Sequence, residues 1–194
     1  MVKRVLEKLP QPAGGFYTEE IRQHGTRIGF KIVTLDGKET VLAHVNFTGP
    51  ERVSKYGLDL RGLEQVGVKA VTAAMKARRL VVIDEIGPME IRSAAFRDTV
   101  IEVLESDGPL LATIFARPLP FTEKLKHRRD VTVIELRPDN RAKLVSELAE
   151  KFSSPRTKRR WRRTSTAVQS SSSLKCMSET PRGRASPNDN ALTA

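Results

Sequence analysis

The chain has 194 residues, and 39% of them are hydrophobic, which is enough for one globular domain with a buried core. It contains 34 Lys and Arg residues against 23 Asp and Glu residues, and its single cysteine excludes a disulfide framework and a multi-cysteine zinc site. No window approaches the roughly 18 apolar residues of a membrane span, and the first residues lack a secretory signal. We therefore expect a cytoplasmic, monomeric protein without a membrane partner.

The first quarter of the sequence predicts one short helix followed by strands. Apolar residues from Val2 to Leu9 recur at helical spacing, and Pro10 ends the helix. The stretches GGFYTEEIR and RIGFKIVTLDGKETVLAHV are rich in Phe, Tyr, Ile and Val, which favour strands. Asp36 and Gly37 predict a hairpin turn inside the second stretch.

The rest of the domain alternates helices with strands. A helix follows a short extended lead-in at Tyr56, and Leu80 to Ile83 reads as a strand buried on both faces. The remaining predicted elements, in order, are a helix from Ser93 to Leu104, the strand PLLATIF, a helix near Thr122 to His127, the strand VTVIEL and a helix from Pro138 to Phe152. This alternation predicts an α/β fold with a largely parallel sheet.

The composition changes at Ser153. Residues 153–194 contain nine basic and two acidic residues, are rich in Ser, Thr and Pro, and show no apolar period. We predict a domain over residues 1–152 and a disordered basic tail over residues 153–194. Within residues 156–163, the run KRRWRR suits a nuclear import signal or a nucleic-acid contact, and a solvated tail with no binding role is the other interpretation.

Two adjacent carboxylates, Asp84 and Glu85, end the buried strand in the stretch LVVIDEIGPME. A side chain at the carboxyl end of such a strand faces the crevice where open α/β sheets bind ligands. In P-loop nucleotide hydrolases an Asp at this place belongs to the Mg²⁺ site, and a following Glu orients or deprotonates the attacking water. The pattern is thus of the Walker B type, although a helix N-cap or a solvated loop carboxylate fits the same letters.

A longer set of motifs resembles one family of small P-loop enzymes, the cancer-related nucleoside-triphosphatases. In order and spacing, these motifs are GGFYTEEIR, RIGFKIVTLDG, KYGLDL, VVIDEIGPMEI, Pro120-Phe121 and RRDVTVIELRPDNR, and they cover roughly residues 1–152. The resemblance implies a single-domain, three-layer, Mg²⁺-dependent hydrolase that converts ATP, GTP and other nucleoside triphosphates to diphosphate and phosphate.

The Walker B pattern and the resemblance together give a set of candidate site residues. Asp84 is the candidate metal ligand, and Glu85 is the candidate catalytic base. Arg22, which follows GFYT, is a candidate for stabilising transition-state charge, with an exposed strand charge as the alternative. The expected nucleotide-binding stretch comprises Val82, Ile83, Asp84, Glu85, Ile86 and Gly87.

The phosphate-binding loop of such an enzyme, GxxxxGK[ST] between a strand and a helix, does not occur in the 194 residues. The helix at Val2 resembles the one that follows that loop, so we expect Met1 to fall just after it. A truncated isoform and an incomplete gene model both fit this pattern. We expect the missing strand to leave a gap beside the Asp84 strand, and hydrolysis to be weak or absent. A non-catalytic nucleotide- or nucleic-acid-binding remnant that uses the tail is the alternative function.

Overall fold

The computed structural model describes residues 1–153 and 165–170. These residues contain a nine-stranded mixed sheet. Its strands are β1 (Ala13–Gln23), β2 (Thr26–Thr34), β3 (Glu39–His44), β4 (Arg52–Val53), β5 (Tyr56–Leu58), β6 (Leu80–Ile86), β7 (Leu110–Phe115), β8 (Val131–Leu136) and β9 (Ser165–Ser170). Their spatial order is β4-β5-β3-β2-β1-β6-β7-β9-β8. The neighbouring strands β1, β6, β7, β9 and β8 are parallel to one another. Strands β2, β3, β5 and β4 continue the sheet beyond β1 in antiparallel pairs.

The helices lie on both faces of the sheet. They are α1 (Val2–Leu6), α2 (Leu60–Gly62), α3 (Lys69–Lys76), α4 (Ala94–Glu105), α5 (Pro120–Lys126) and α6 (Arg141–Ser153). A π-helical segment, Leu63–Val68, joins α2 to α3, and a 3₁₀ turn spans Glu90–Arg92. Among the described residues, no helix has the length and apolar character needed to cross a membrane.

Strand β6 shows why the sheet is covered on both faces. Leu80 and Val82 pack with α1 and α6, whereas Val81 and Ile83 pack in the larger core with α3 and α4. Because side chains alternate along a strand, four consecutive apolar residues fill two opposite cores. The predicted three-layer α/β fold with a parallel centre is confirmed.

The predicted extended lead-in at Tyr56 and the helix after it are confirmed, whereas the start of the last helix shifts; a short polar side chain sets each start. Tyr56 to Leu58 form β5, and helix α2 begins only after Asp59, whose carboxylate accepts the Gly62 N–H at 2.9 Å. The last helix starts at Arg141 rather than at the predicted Pro138. Before it, the Asn140 side chain accepts the Arg137 N–H at 2.8 Å and holds the chain in a turn.

The predicted disorder of residues 153–194 is wrong for β9. This strand pairs in parallel with β7 and with β8 along its whole length, and Thr166, Ala167 and Val168 are at most 6% exposed. The sequence signal is weak because only two of its six residues are aliphatic and the strands that bury them are distant in sequence. Residues 154–164, which include the basic run, and residues 171–194 lie outside the described part of the chain.

The expected gap beside the Asp84 strand is also not found. Strand β6 pairs with β1 on one side and with β7 on the other. The position that residues 1–153 leave open is one strand further along, between β7 and β8, and β9 occupies it. The ladder therefore continues without interruption through the described sheet, and the buried N–H and C=O groups of β7 and β8 that face this position have partners.

Gly15 offers a direct test of the close approach between β1 and β6. Its φ is +112°, and a Cβ there would lie 2.0 Å from the carbonyl oxygen of Val82. We expect Gly15→Ala to lower the free energy of unfolding by about 3 kcal/mol, because strained backbone and a backbone clash act together. Urea unfolding followed by circular dichroism measures this change.

The matched control is Gly49→Ala. Gly49 has no positive φ, and its Cβ would meet no atom within 4 Å. We expect this variant to change the free energy of unfolding by less than about 1 kcal/mol. Equal stability of the two variants would contradict the close approach of Gly15 to Val82.

Candidate active site

Asp84 and Glu85 lie near the carboxyl end of β6, in the parallel centre of the sheet. The peptide bond between them is cis. The neighbouring strand β7 runs parallel to β6, with Ile83 opposite Ala112, and this register sets Thr113 beside Asp84. The Thr113 hydroxyl donates a hydrogen bond to the Asp84 carboxylate. Two adjacent strands thus present oxygen atoms at one point.

A small pocket of about 100 Å³ opens at this point. Five elements contribute to it because the amino ends of two helices meet the carboxyl ends of three strands there. Its lining residues are Met1, Val2, Asp84, Glu85, Thr113, Leu136 and Arg141. Asp84 and Glu85 therefore do share a cavity, and Arg141 adds a positive charge to it.

Burial dominates the electrostatics of Asp84. Desolvation raises the pKa of its carboxyl group, and the hydrogen bond from Thr113 and the nearby positive charges of the Met1 amino group and Lys3 oppose that rise. A buried carboxylate with few positive neighbours is stabilised by any further cation that binds beside it. This environment favours a cation at Asp84.

The donor set is suited to a magnesium ion that brings most of its own ligands. Among the residues that the structure describes, no group of three or more His, Cys, Asp or Glu side chains forms a metal cage. Mg²⁺ typically uses one or two carboxylates and completes its shell with water and substrate phosphates. Asp84, with the Thr113 hydroxyl beside it, provides hard oxygen donors of this kind.

Only two members of the expected nucleotide-binding stretch reach the pocket. Val82, Ile83 and Ile86 are at most 2% exposed, with their side chains in the two cores, and Gly87 is buried behind the strand end. These four residues position Asp84 and Glu85 but do not line the cavity.

The structure does not bring Arg22 to this pocket. Strand β1 stays beside β6 only as far as Tyr17, which lies opposite Asp84, and Arg22 is five residues further on, about 17 Å away at strand spacing. Its side chain is 56% exposed, pairs with Glu20 at 2.5 Å and donates to the Gly25 carbonyl at 2.9 Å. The arrangement matches the exposed strand charge that was the alternative.

For Asn140-Arg141 the sequence leaves two alternatives, a helix cap and a contact to the nucleotide base, and for Glu90 it favours a structural role. Arg141 comes to the pocket because the turn at Asn140 sets the first residue of α6 above the strand ends. Glu90 lies just below the site, is 5% exposed, and accepts the Gly87 N–H at 3.2 Å. Burial and then the charge of Glu85 raise the pKa of Glu90 to about 8.

Comparisons with known proteins agree with this geometry. A family model described as NTPase matches residues 1–149. A nucleoside-triphosphatase THEP1 from Thermotoga sp. (strain RQ2) is 47% identical over 143 residues, which cover 74% of this chain and 82% of the relative. The chain belongs to the THEP1 nucleoside-triphosphatase family. The predicted family is confirmed, and the chain is a hydrolase by descent.

More distant members have the same fold. The THEP1 of Methanocaldococcus jannaschii is 41% identical over 148 residues, covering 76% of this chain and 84% of the relative. The crystal structure of THEP1 from Aquifex aeolicus superposes with a TM-score of 0.70 at 32% identity, covering 76% of this chain and 87% of that one. The solution structure of a human cancer-related nucleoside triphosphatase superposes with a TM-score of 0.63 at 36% identity, covering 75% of this chain and 84% of that one.

Glu90 predicts an unusual dependence of stability on pH. Its carboxyl group titrates near 4.5 in the unfolded chain and at about 8 in the fold, so the folded state holds the proton more tightly. The stabilisation that protonated Glu90 contributes is complete below its unfolded-state pKa of 4.5 and is lost as the pH rises toward its folded-state pKa of about 8. The loss amounts to up to about 1.4 kcal/mol per pH unit. We expect the melting temperature to fall between pH 5 and pH 8.

Glu90→Gln tests the assignment because glutamine keeps an acceptor for the Gly87 N–H but cannot ionise. We expect the melting temperature of this variant to vary much less over the same range. The control is Glu102→Gln, at an exposed position of α4, which should follow the unmodified chain. Parallel curves for all three proteins would mean that Glu90 is not the responsible group.

Proposed function

We propose that the pocket at the ends of β6 and β7 hydrolyses nucleoside triphosphates, ATP and GTP among them, in a Mg²⁺-dependent reaction. The observation that carries the proposal is that Asp84, Glu85 and Arg141 line one cavity at the carboxyl edge of the parallel strands. This edge is where open α/β sheets bind ligands. The names of the relatives support the same reaction class.

Each side chain has a distinct role in this proposal. Asp84 holds the Mg²⁺ site, and bound Mg²⁺ supplies positive charge that offsets the charge of the phosphates. Glu85 orients a water molecule and accepts its proton as the water oxygen bonds to the γ-phosphorus. The bond from that phosphorus to the bridging oxygen breaks, which releases a nucleoside diphosphate and phosphate. Arg141 attracts the phosphates electrostatically.

Two features support slow hydrolysis by these 194 residues. The sequence contains no GxxxxGK[ST] loop to cradle the β- and γ-phosphates. The pocket of about 100 Å³ is smaller than the 300 to 1,000 Å³ that typical ligand sites offer. Because positioning accounts for much of phosphoryl-transfer catalysis, a site that holds the triphosphate loosely is a slow one.

Phosphate release from ATP and GTP tests the proposal. We compare the chain with a version that carries a strand and a GxxxxGKT segment ahead of Met1, and we expect much faster release from the longer version. Glu85→Gln in that version should lower the rate by about 10²- to 10⁴-fold with nucleotide binding retained, because it removes the base. Asp84→Asn should abolish the response to Mg²⁺.

The control for both variants is Glu102→Gln on α4, outside the pocket, which should leave the rate unchanged. Undiminished hydrolysis after Glu85→Gln would overturn the assignment of the base. No hydrolysis in either version, with both proteins folded, would overturn the proposed function.

A second candidate function, binding of nucleic acid, rests on the basic run. Six of the eight residues 156–163 are Lys or Arg, and a dense positive run binds phosphates by releasing counterions. We expect any such binding to weaken steeply between 50 and 200 mM salt, as about 10³-fold is typical for six phosphate contacts. It should disappear when these six residues are changed to Gln. Filter binding with double-stranded DNA measures both effects, and salt-independent binding would contradict the candidate.

A further inference from the structure

A second and larger cavity opens at the edge of the sheet where β6 and β7 end. Its volume is about 540 Å³, within the range of roughly 300 to 1,000 Å³ that is typical of small-molecule sites. The β4–β5 hairpin, the 3₁₀ turn, helix α4 and the residue before α5 form its walls. We call this cavity the arginine pocket, and its lining residues are Glu51, Arg52, Val53, Ser54, Pro88, Ile91, Arg92, Arg97 and Leu119.

The arginine pocket carries an excess of positive charge. Arg52, Arg92 and Arg97 contribute three guanidinium groups, against the single carboxylate of Glu51. Within the part of the chain that the structure describes, no carboxylate forms an ion pair with any of these three arginines. Because a guanidinium group stays charged at every physiological pH, this concentration of positive charge favours an anionic ligand.

Backbone carbonyl groups hold two of the three guanidinium groups in place. Arg52 donates to the Phe47 carbonyl at 2.7 Å and to the Lys55 carbonyl at 2.9 Å. Arg97 donates to the Ile91 carbonyl at 2.6 Å. A guanidinium group carries five N–H groups, so both side chains keep further N–H groups for a ligand. Since the two side chains are already fixed, little of their conformational entropy is lost when a ligand binds.

The arginine pocket also has an apolar wall. Pro88, Ile91 and Leu119 line it and are each partly exposed. Apolar side chains in a concave site are stabilised when the body of a ligand covers them, and guanidinium planes stack on flat rings. The lining therefore suits a molecule that combines an anionic group with an apolar or planar body.

One short segment joins the arginine pocket to the candidate active site. Three peptide bonds separate Glu85 from Pro88, so the Cα atoms of these two residues are at most about 11 Å apart. Between them, the Gly87 N–H donates to the Glu90 carboxyl group at 3.2 Å, and the Gly87 carbonyl accepts the Ile91 N–H at 3.1 Å. A ligand in the arginine pocket therefore contacts the segment that positions Glu85.

We propose that the arginine pocket binds a phosphomonoester with an apolar or planar body, with the phosphate at the three arginines and the body against the apolar wall. A phosphate group is favoured over a carboxylate because it carries nearly two negative charges near neutral pH and has three oxygen atoms that accept hydrogen bonds. A single concave cavity of this size favours a small molecule over a polymer. The inference goes beyond the proposed function and does not depend on it, because the two cavities share no lining residue.

Calorimetric titration of the full 194-residue chain with adenosine monophosphate (AMP), in the absence of Mg²⁺ and of any triphosphate, is the first part of the test. We expect AMP to bind, and we expect adenosine and inorganic phosphate to bind at least about tenfold more weakly, since each lacks half of the recognised structure. No binding of AMP up to about 10 mM would overturn the proposal. Equal affinity for AMP and adenosine would overturn the role of the arginines, and equal affinity for AMP and phosphate would overturn the role of the apolar wall.

Arg92→Gln is the decisive variant, because the Arg92 side chain is exposed and makes no hydrogen bond or ion pair with the described residues. We expect an unchanged melting temperature and an AMP affinity lower by at least about tenfold, since a charged donor is lost. The matched control is Arg129→Gln, an exposed arginine outside both cavities. Arg141→Gln removes the arginine of the candidate active site, and neither of these two variants should change the affinity by more than about twofold. Undiminished affinity in Arg92→Gln, or a loss in Arg141→Gln alone, would overturn the proposal.

Hydrogen exchange with and without saturating AMP locates the ligand independently of any variant. We expect slower exchange in residues 51–55 and 88–92, which border the arginine pocket, and no change in residues 26–34 of β2. Slower exchange confined to residues 136–141 would place AMP in the candidate active site and overturn the proposal. Because these assays contain neither Mg²⁺ nor a triphosphate, a failure to bind AMP would leave the proposed hydrolysis standing, and a failure of hydrolysis would leave AMP binding standing.

Discussion

Backbone hydrogen bonding at the strand position between β7 and β8 is the constraint on which this fold depends. An interior strand position cannot remain empty, since the N–H and C=O groups that face it would be buried without partners, at a cost of roughly 1 to 3 kcal/mol each. Strand β9 meets that requirement with side chains of modest size. In the continuous sheet, the apolar strands β6 and β7 contribute side chains to both cores, and the helices pack against the two faces.

The continuous sheet also positions the side chains of the candidate active site. Asp84 and Thr113 meet only because β6 and β7 are in register, and Arg141 joins them because α6 begins above the end of β8. Glu90 supports this edge from below by accepting the Gly87 N–H, although two buried carboxyl groups in one region repel each other when both ionise. The sheet and the helix ends therefore hold the site, and side chains on such elements are positioned more precisely than side chains on loops.

The sequence predicted those parts of the fold that local pattern controls. The run Leu80 to Ile83 has the composition of a doubly buried strand, and Asp36-Gly37 forms the expected hairpin turn, with Gly37 at φ +87°. Asp84 and Glu85 were found as a pair because they follow an apolar strand. The sequence could not predict β9, since its burial comes from two strand edges formed far earlier in the chain. Local pattern also could not decide which arginine reaches the pocket, because the length of β1 and the turn at Asn140 place Arg141 there and keep Arg22 away.

The place of β9 in the chain also sets the order in which the molecule can be completed during synthesis. Leu110 of β7 must wait for Ser165 to emerge from the ribosome before its backbone finds a partner on that side. Until then β7 and β8 present two facing, unpaired strand edges, which are the features that recruit strands from other chains. Because pairing between such distant segments forms slowly, the unfinished nascent domain, rather than the finished one, is where aggregation would begin.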